Sequence, residues 1–151
     1  MPFDRLVCAV DAWAQRNPGV EVFGQIGETD YVPVAMQWAK VLPPDTYLKH
    51  VTECQFMIGH AGMGTVITAA EHGKRLLAMP RRGSLRETRN DHQVATAEWL
   101  GTRAGIRIAS DENAVARELD QMFATDAPLS GSGEASPELI AAVRRFIEGA
   151  E

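Results

Sequence analysis

Two brief apolar runs constrain this chain most: QFMIG at residues 55–59 and LLAM at residues 76–79. Both are of the kind that a buried parallel strand shows. After the first comes a glycine-rich loop (62–64) and a helical segment over 65–72 that Gly73 ends. The second breaks at Pro80, and a polar, basic loop over 81–90 follows (RRGSLRETRN). A helix over 91–100, a strand over 105–109 (GIRIA) and a helix over 111–124 capped by Ser110 complete the pattern. Strands alternating with helices predict an α/β fold with a mostly parallel, Rossmann-like sheet and flanking helices.

The first half reads less regularly. Phe3, Leu6, Val7, Val10, Trp13 and Ala14 recur at helical spacing, so residues 2–16 form a helix that Asn17-Pro18-Gly19 stops. Residues 20–24 are a short β-type run before a loop centred on Gly27. Residues 32–41 have room for one more short strand. Pro43-Pro44-Asp45 opens a helix to about Glu53, with proline in the first turn and an acid at the positive end of the dipole.

At 151 residues the chain has the length of one domain with a single core. By composition residues 1–126 form the folded domain, 127–136 (APLSGSGEAS) a linker, and 137–151 a last helix with an apolar stripe at Leu139, Ile140, Val143, Phe146 and Ile147. Fifteen Lys and Arg against twenty Asp and Glu leave a net charge of −5, which disfavours a nucleic-acid groove. No apolar run approaches the length of a membrane span. Cys8 and Cys54 fit no metal or redox spacing, so a reduced, cytoplasmic chain is expected. The four histidines lack zinc spacing, and no metal site is expected.

In parallel α/β folds ligands sit beyond the carboxyl ends of the strands, which singles out two loops. The first, Gly59-His60-Ala61-Gly62-Met63-Gly64-Thr65, leads from a strand into a helix N-terminus. Free backbone N–H groups there, aligned with the positive end of the helix dipole, suit a phosphate. Thr65 adds a hydroxyl and His60 a switchable donor. A tight turn in which glycine merely allows close packing would use the same residues. It is neither a P-loop nor a full G-x-G-x-x-G, because the lysine and the third glycine are missing. The second loop places Arg81, Arg82, Arg86 and Arg89 ahead of Asn90-Asp91-His92-Gln93. Arginine forks match phosphate and carboxylate oxygens, and the carboxamides and carboxylate suit sugar hydroxyls. Alternatively Glu87 and Asp91 pair some of these arginines, and Asp91 caps the helix.

Together the loops are more specific than either alone. The run FMIGHAGMGTVITAAEHGKRLLAMPRRGSLRETRNDHQVATAEWL, residues 56–100, resembles the C-terminal domain of family 28 glycosyltransferases. The shared pattern is H-A-G-x-G-T/S, then G-K, then a strand ending in proline, then N/D-H-Q and a small-residue helix. The segment MPRRxxLRExRNDHQxATA resembles the branch found in bacterial exopolysaccharide synthesis, where the donor-binding half is a separate short polypeptide. The resemblance extends from Pro2 to the helix ending near Ala124.

The resemblance implies the C-terminal half of a GT-B fold that binds a nucleotide sugar, with UDP the expected nucleotide and no bound metal or cofactor. His60, Gly62, Gly64 and Thr65 would hold the diphosphate. Asn90, Asp91, His92 and Gln93 would face the donor sugar, and Arg81 and Arg82 the phosphate or an acidic sugar. Many relatives carry a ribose-gripping Glu where this chain has Thr68; Glu71, three residues on, is the available substitute. Relatives also open with a strand and a Gly-Thr loop ahead of P-F-D-R-L, so the usual first strand is expected to be missing here. A late start explains this more simply than loss of a central strand, which would expose unpaired edges.

The expected function is the donor-binding subunit of a two-component hexosyltransferase acting on a lipid-linked acceptor in surface-polysaccharide assembly. A membrane-anchored partner would supply the acceptor side and the catalytic base, holding this subunit at the inner face of the membrane. The last helix would suit docking on that partner or packing on its own domain. An inert nucleotide-sugar-binding or regulatory subunit is the main alternative, and a dinucleotide-binding module a weaker one.

Overall fold

The alternation read from the sequence is the alternation of the fold. The computed structural model describes residues 1–89, 92–101 and 105–125, with the single positions 137, 141 and 145. The expected linker and most of the last helix lie outside the described residues. In chain order the elements are α1 (Asp4–Arg16), β1 (Phe23–Gln25), β2 (Gln37–Ala39), α2 (Pro44–Glu53), β3 (Phe56–His60), α3 (Met63–Glu71), β4 (Arg75–Met79), a 3-10 turn (Gly83–Leu85), α4 (His92–Leu100), β5 (Ile106–Ile108) and α5 (Glu112–Ala124).

β4 organises the core because its side chains alternate between two faces. Leu77 and Met79 join Leu6, Val10 and Trp13 of α1 and Val115, Leu119 and Met122 of α5. Leu76 and Ala78 join Val66 and Ala69 of α3 and Ala97 and Leu100 of α4 on the opposite face. Leu76, Leu77, Ala78 and Met79 are all fully buried. A strand covered on both faces reads as an unbroken apolar run, which is why LLAM was legible. β3 and β5 flank β4 in parallel, with Phe56↔Arg75 through His60↔Met79 on one side and Leu76↔Ile106 through Ala78↔Ile108 on the other.

Three local features differ from the sequence reading. Among the described residues the sheet is two sheets: β1 pairs with β2, in parallel, and β3-β4-β5 form the other. Between them the link is side-chain packing, since Val22 and Met36 meet the same core cluster as Phe56 and Ile58. α3 starts two residues earlier than expected, so Gly64 lies inside its first turn rather than in the loop. α5 is capped by Asp111, whose carboxylate accepts the N–H groups of Asn113 and Ala114, and not by Ser110. A carboxylate one residue closer to the helix both bonds these donors and complements the dipole.

α1 ties the loops at the carboxyl ends of the strands together. Asp4 accepts the Thr29 hydroxyl from the loop after β1. Asp11, only 2% exposed, accepts Tyr31 OH at 2.7 Å and the N–H groups of Ala35 and Val34 at 2.8 and 3.1 Å. Burial pushes this carboxyl up, but the donors outweigh it and hold it below its ordinary range. Tyr31, bonded to that carboxylate, is pushed up to about 12. Arg5 takes the other side, reaching Pro80 O, Glu87 and Glu112.

Candidate functional site

β3, β4 and β5 end side by side, as their register requires. Ala61 N–H continues the ladder to Met79 O, and Ala109 N–H to Ala78 O. The turn at 61–62, the basic loop after Pro80 and the start of α5 therefore share one rim.

At the first turn, Gly62 is the N-cap of α3 and no side chain caps it. The first intrahelical bond runs from Val66 N–H to Gly62 O. The N–H groups of Met63, Gly64 and Thr65 are thus the donors that a helix start leaves without intrahelical partners. The three glycines have different roles. A Cβ on Gly59 would lie 2.8 Å from Thr65 Cγ2, and one on Gly62 would run into the His60 ring. A side chain at either position would press on Thr65 or His60, so packing around those two residues constrains both glycines. Gly64 is not so constrained, because a Cβ there would meet nothing within 4 Å.

His60 and Thr65 are brought together across this turn, with Nδ1 and Oγ1 3.3 Å apart. Burial and the neighbouring Arg81 charge both push the imidazole below its ordinary range, so it is neutral at pH 7. Thr68 and Glu71 are less engaged with the rim. Thr68 donates its hydroxyl to Gly64 O within its own helix. Glu71 is exposed at the far end of α3, about 13 Å along the axis from the N-cap at 1.5 Å per residue.

The second loop is fastened from beneath. Arg81 N–H donates to Gln93 Oε1 at 3.1 Å. The Arg81 guanidinium lies 4.7 Å over the Phe3 ring and donates to Met1 O and Glu87 O at 2.8 and 2.9 Å. Burial lowers its pKa, and nearby Glu87 opposes this. Arg82 donates to Ser110 O at 3.3 Å. Arg86 holds a left-handed conformation (φ 57°) and ends the 3-10 turn, with its N–H on Gly83 O. Arg86 and Arg89 are exposed. Of the residues expected at the donor sugar, Gln93 is thus adjacent to Arg81. Asn90 and Asp91 lie outside the described residues, and His92 is described only as the first residue of α4.

Sequence reasoning missed the foundation of this loop. Glu87 is 7% exposed and pairs with Arg5, eighty-two positions away, at 2.8 Å through both carboxylate oxygens. The alternative in which Glu87 pairs the loop's own arginine side chains is not the arrangement seen. No local signal could have announced a pair so distant in sequence.

Among the described residues no group of three or more His, Cys, Asp or Glu side chains is placed to hold a metal ion. No helix of the described residues is long and apolar enough to cross a membrane. In comparisons with known proteins, no family model matches the chain, and no curated protein matches it either.

Proposed function

We propose that this chain is the donor-binding half of a GT-B hexosyltransferase, taking a UDP-sugar and acting with a partner subunit on a lipid-linked acceptor in surface-polysaccharide assembly. The observation that carries the reading is the uncapped start of α3, where Gly64 leaves open space beside free N–H groups. It stands at the carboxyl end of β3, beside the basic loop that follows β4. A diphosphate seated there would meet the helix dipole, the Thr65 hydroxyl and the neutral His60 ring. Fixed dipoles aimed at the leaving diphosphate can replace a metal ion. Gln93, with Asn90, Asp91 and His92, would address the sugar, and Arg82 the phosphates.

The catalytic base belongs to the partner in this reading. Glu87 and Glu112 are both held by Arg5, and Asp111 is committed to capping α5. The same observation favours the second reading, a subunit that binds nucleotide sugars without catalysing transfer. The partner would also hold the chain at the inner face of the membrane.

Titration with UDP and UDP-sugars, followed by transfer assays with and without an acceptor-binding partner, tests both readings. UDP binding with transfer only in the pair is the expected result. Binding without transfer in the complete pair would leave the non-catalytic reading, and preference for NAD over UDP would overturn both.

A further inference from the structure

The loop after β4 has a buried acid among four arginines, and its carboxylate bonds Arg5 rather than any of their guanidinium groups. Glu87 gives Oε1 to Arg5 Nε, and Oε2 to Arg5 Nη2 and to Arg82 N–H at 3.0 Å. Among the loop arginines, Arg81 meets residue 87 at its backbone carbonyl. Arg82 turns its guanidinium to Ser110 O, while Arg86 and Arg89 are exposed. Arg5 also takes Glu112 at 2.6 Å, so one cation from α1 holds both Glu87 and Glu112.

We propose that Arg5 is a positioning residue that acts as counter-ion to Glu87 and Glu112, so that these acids do not draw the Arg82, Arg86 and Arg89 side chains away from a diphosphate. A buried carboxylate without its partner draws in whichever cation is nearest. Here the nearest loop cations are Arg81, already seated over Phe3, and Arg82, whose fork would then be turned from Ser110 towards the acid. The proposal rests on the donor-binding reading above and adds a residue that does not touch the ligand.

The test is calorimetric titration of UDP and inorganic pyrophosphate into the full chain at about 50 mM salt, where surface charge is only partly screened. Wild type is compared with Arg5→Gln, Glu87→Gln and the double variant. Arg5→Gln is expected to weaken both ligands about tenfold, the size of one lost charge-assisted contact. Glu87→Gln is expected to tighten them about threefold, because Arg5 then adds its charge to the rim. The double variant should return close to wild type. Should Arg5→Gln fail to fold, the other two still decide. Tighter binding by Glu87→Gln that is reversed in the double variant supports the proposal; no change, or a loss in both, overturns it. If wild type binds neither ligand at millimolar concentration, the donor-binding reading itself fails and the proposal with it. If wild type binds and the variants all match it, only the counter-ion role of Arg5 is lost.

Discussion

Gln93, in the first turn of α4, takes the Arg81 N–H on its Oε1 and so fastens the residue that leaves β4 by way of Pro80. An amide whose oxygen is committed offers its NH2 group to anything else it meets. Gln93→Ala leaves that N–H without its acceptor, at a cost of about 1–3 kcal/mol, visible as a lowered melting temperature. Discrimination among UDP-sugars should fall more than affinity for UDP itself. Equal losses of the two would remove Gln93 from the sugar.

The glycines of the first turn should separate packing from binding. Gly62→Ala displaces the His60 ring and should destabilise the chain by about 1–3 kcal/mol, as overpacking does. Gly64→Ala adds a side chain into open space within a helix and should be neutral or stabilising by up to about 1 kcal/mol. Gly64→Val should nonetheless abolish UDP binding by closing the approach to the backbone donors. A folded Gly64→Val chain with unchanged UDP affinity would exclude α3 as the diphosphate site.

Stability should fall at both ends of the pH scale, for different reasons. Asp11 and Glu87 are held below the ordinary carboxylate range, so the stability they contribute is complete above that range and lost as the pH falls from it through their lowered folded-state pKa values. Tyr31 is raised to about 12, so its contribution is complete below about pH 10 and is lost as the pH rises towards 12. Urea unfolding across pH would show both limbs. Tyr31→Phe should flatten the alkaline one, and an unchanged alkaline limb would separate Tyr31 from the effect.

Asp111 and Ser110 offer a simple comparison at the start of α5. Asp111→Ala removes a cap bonded to two N–H groups and should cost about 0.5–2 kcal/mol. Ser110→Ala, at an exposed position, should cost less than about 0.5 kcal/mol. Chemical denaturation of both variants checks the order, and the reverse order would refute the assignment.

What was legible in the sequence was whatever obeys local rules. β4 shows because burial on both faces demands an apolar run, and α1 because its apolar stripe repeats at helical spacing. The turn at Gly59-His60-Ala61-Gly62 shows because a strand and a helix meet there. The division of the sheet was not legible, since the three-residue strands β1 and β2 carry no alternation that says which neighbour they pair with. Nor was the burial of Asp11. A carboxylate on a helix reads as solvated until Tyr31 and the 34–35 backbone are known to cover it. At the candidate site the glycine turn and the basic loop were apparent, while Arg5, Glu87 and the anchored role of Arg81 depended on tertiary contacts.

The reach of Arg5 also bears on the order in which the molecule can assemble. Its partners lie 75, 82 and 107 positions down the chain. Loops of that length cost closure entropy before any contact repays it. During synthesis the neighbouring units β3-α3-β4 and α4-β5 can therefore pair while α1, held to the 29–35 segment through Asp4 and Asp11, still lacks the partners of Arg5. Until Glu112 emerges Arg5 is only partly paired, and the apolar stripe of α1 has only part of the surface it will finally cover.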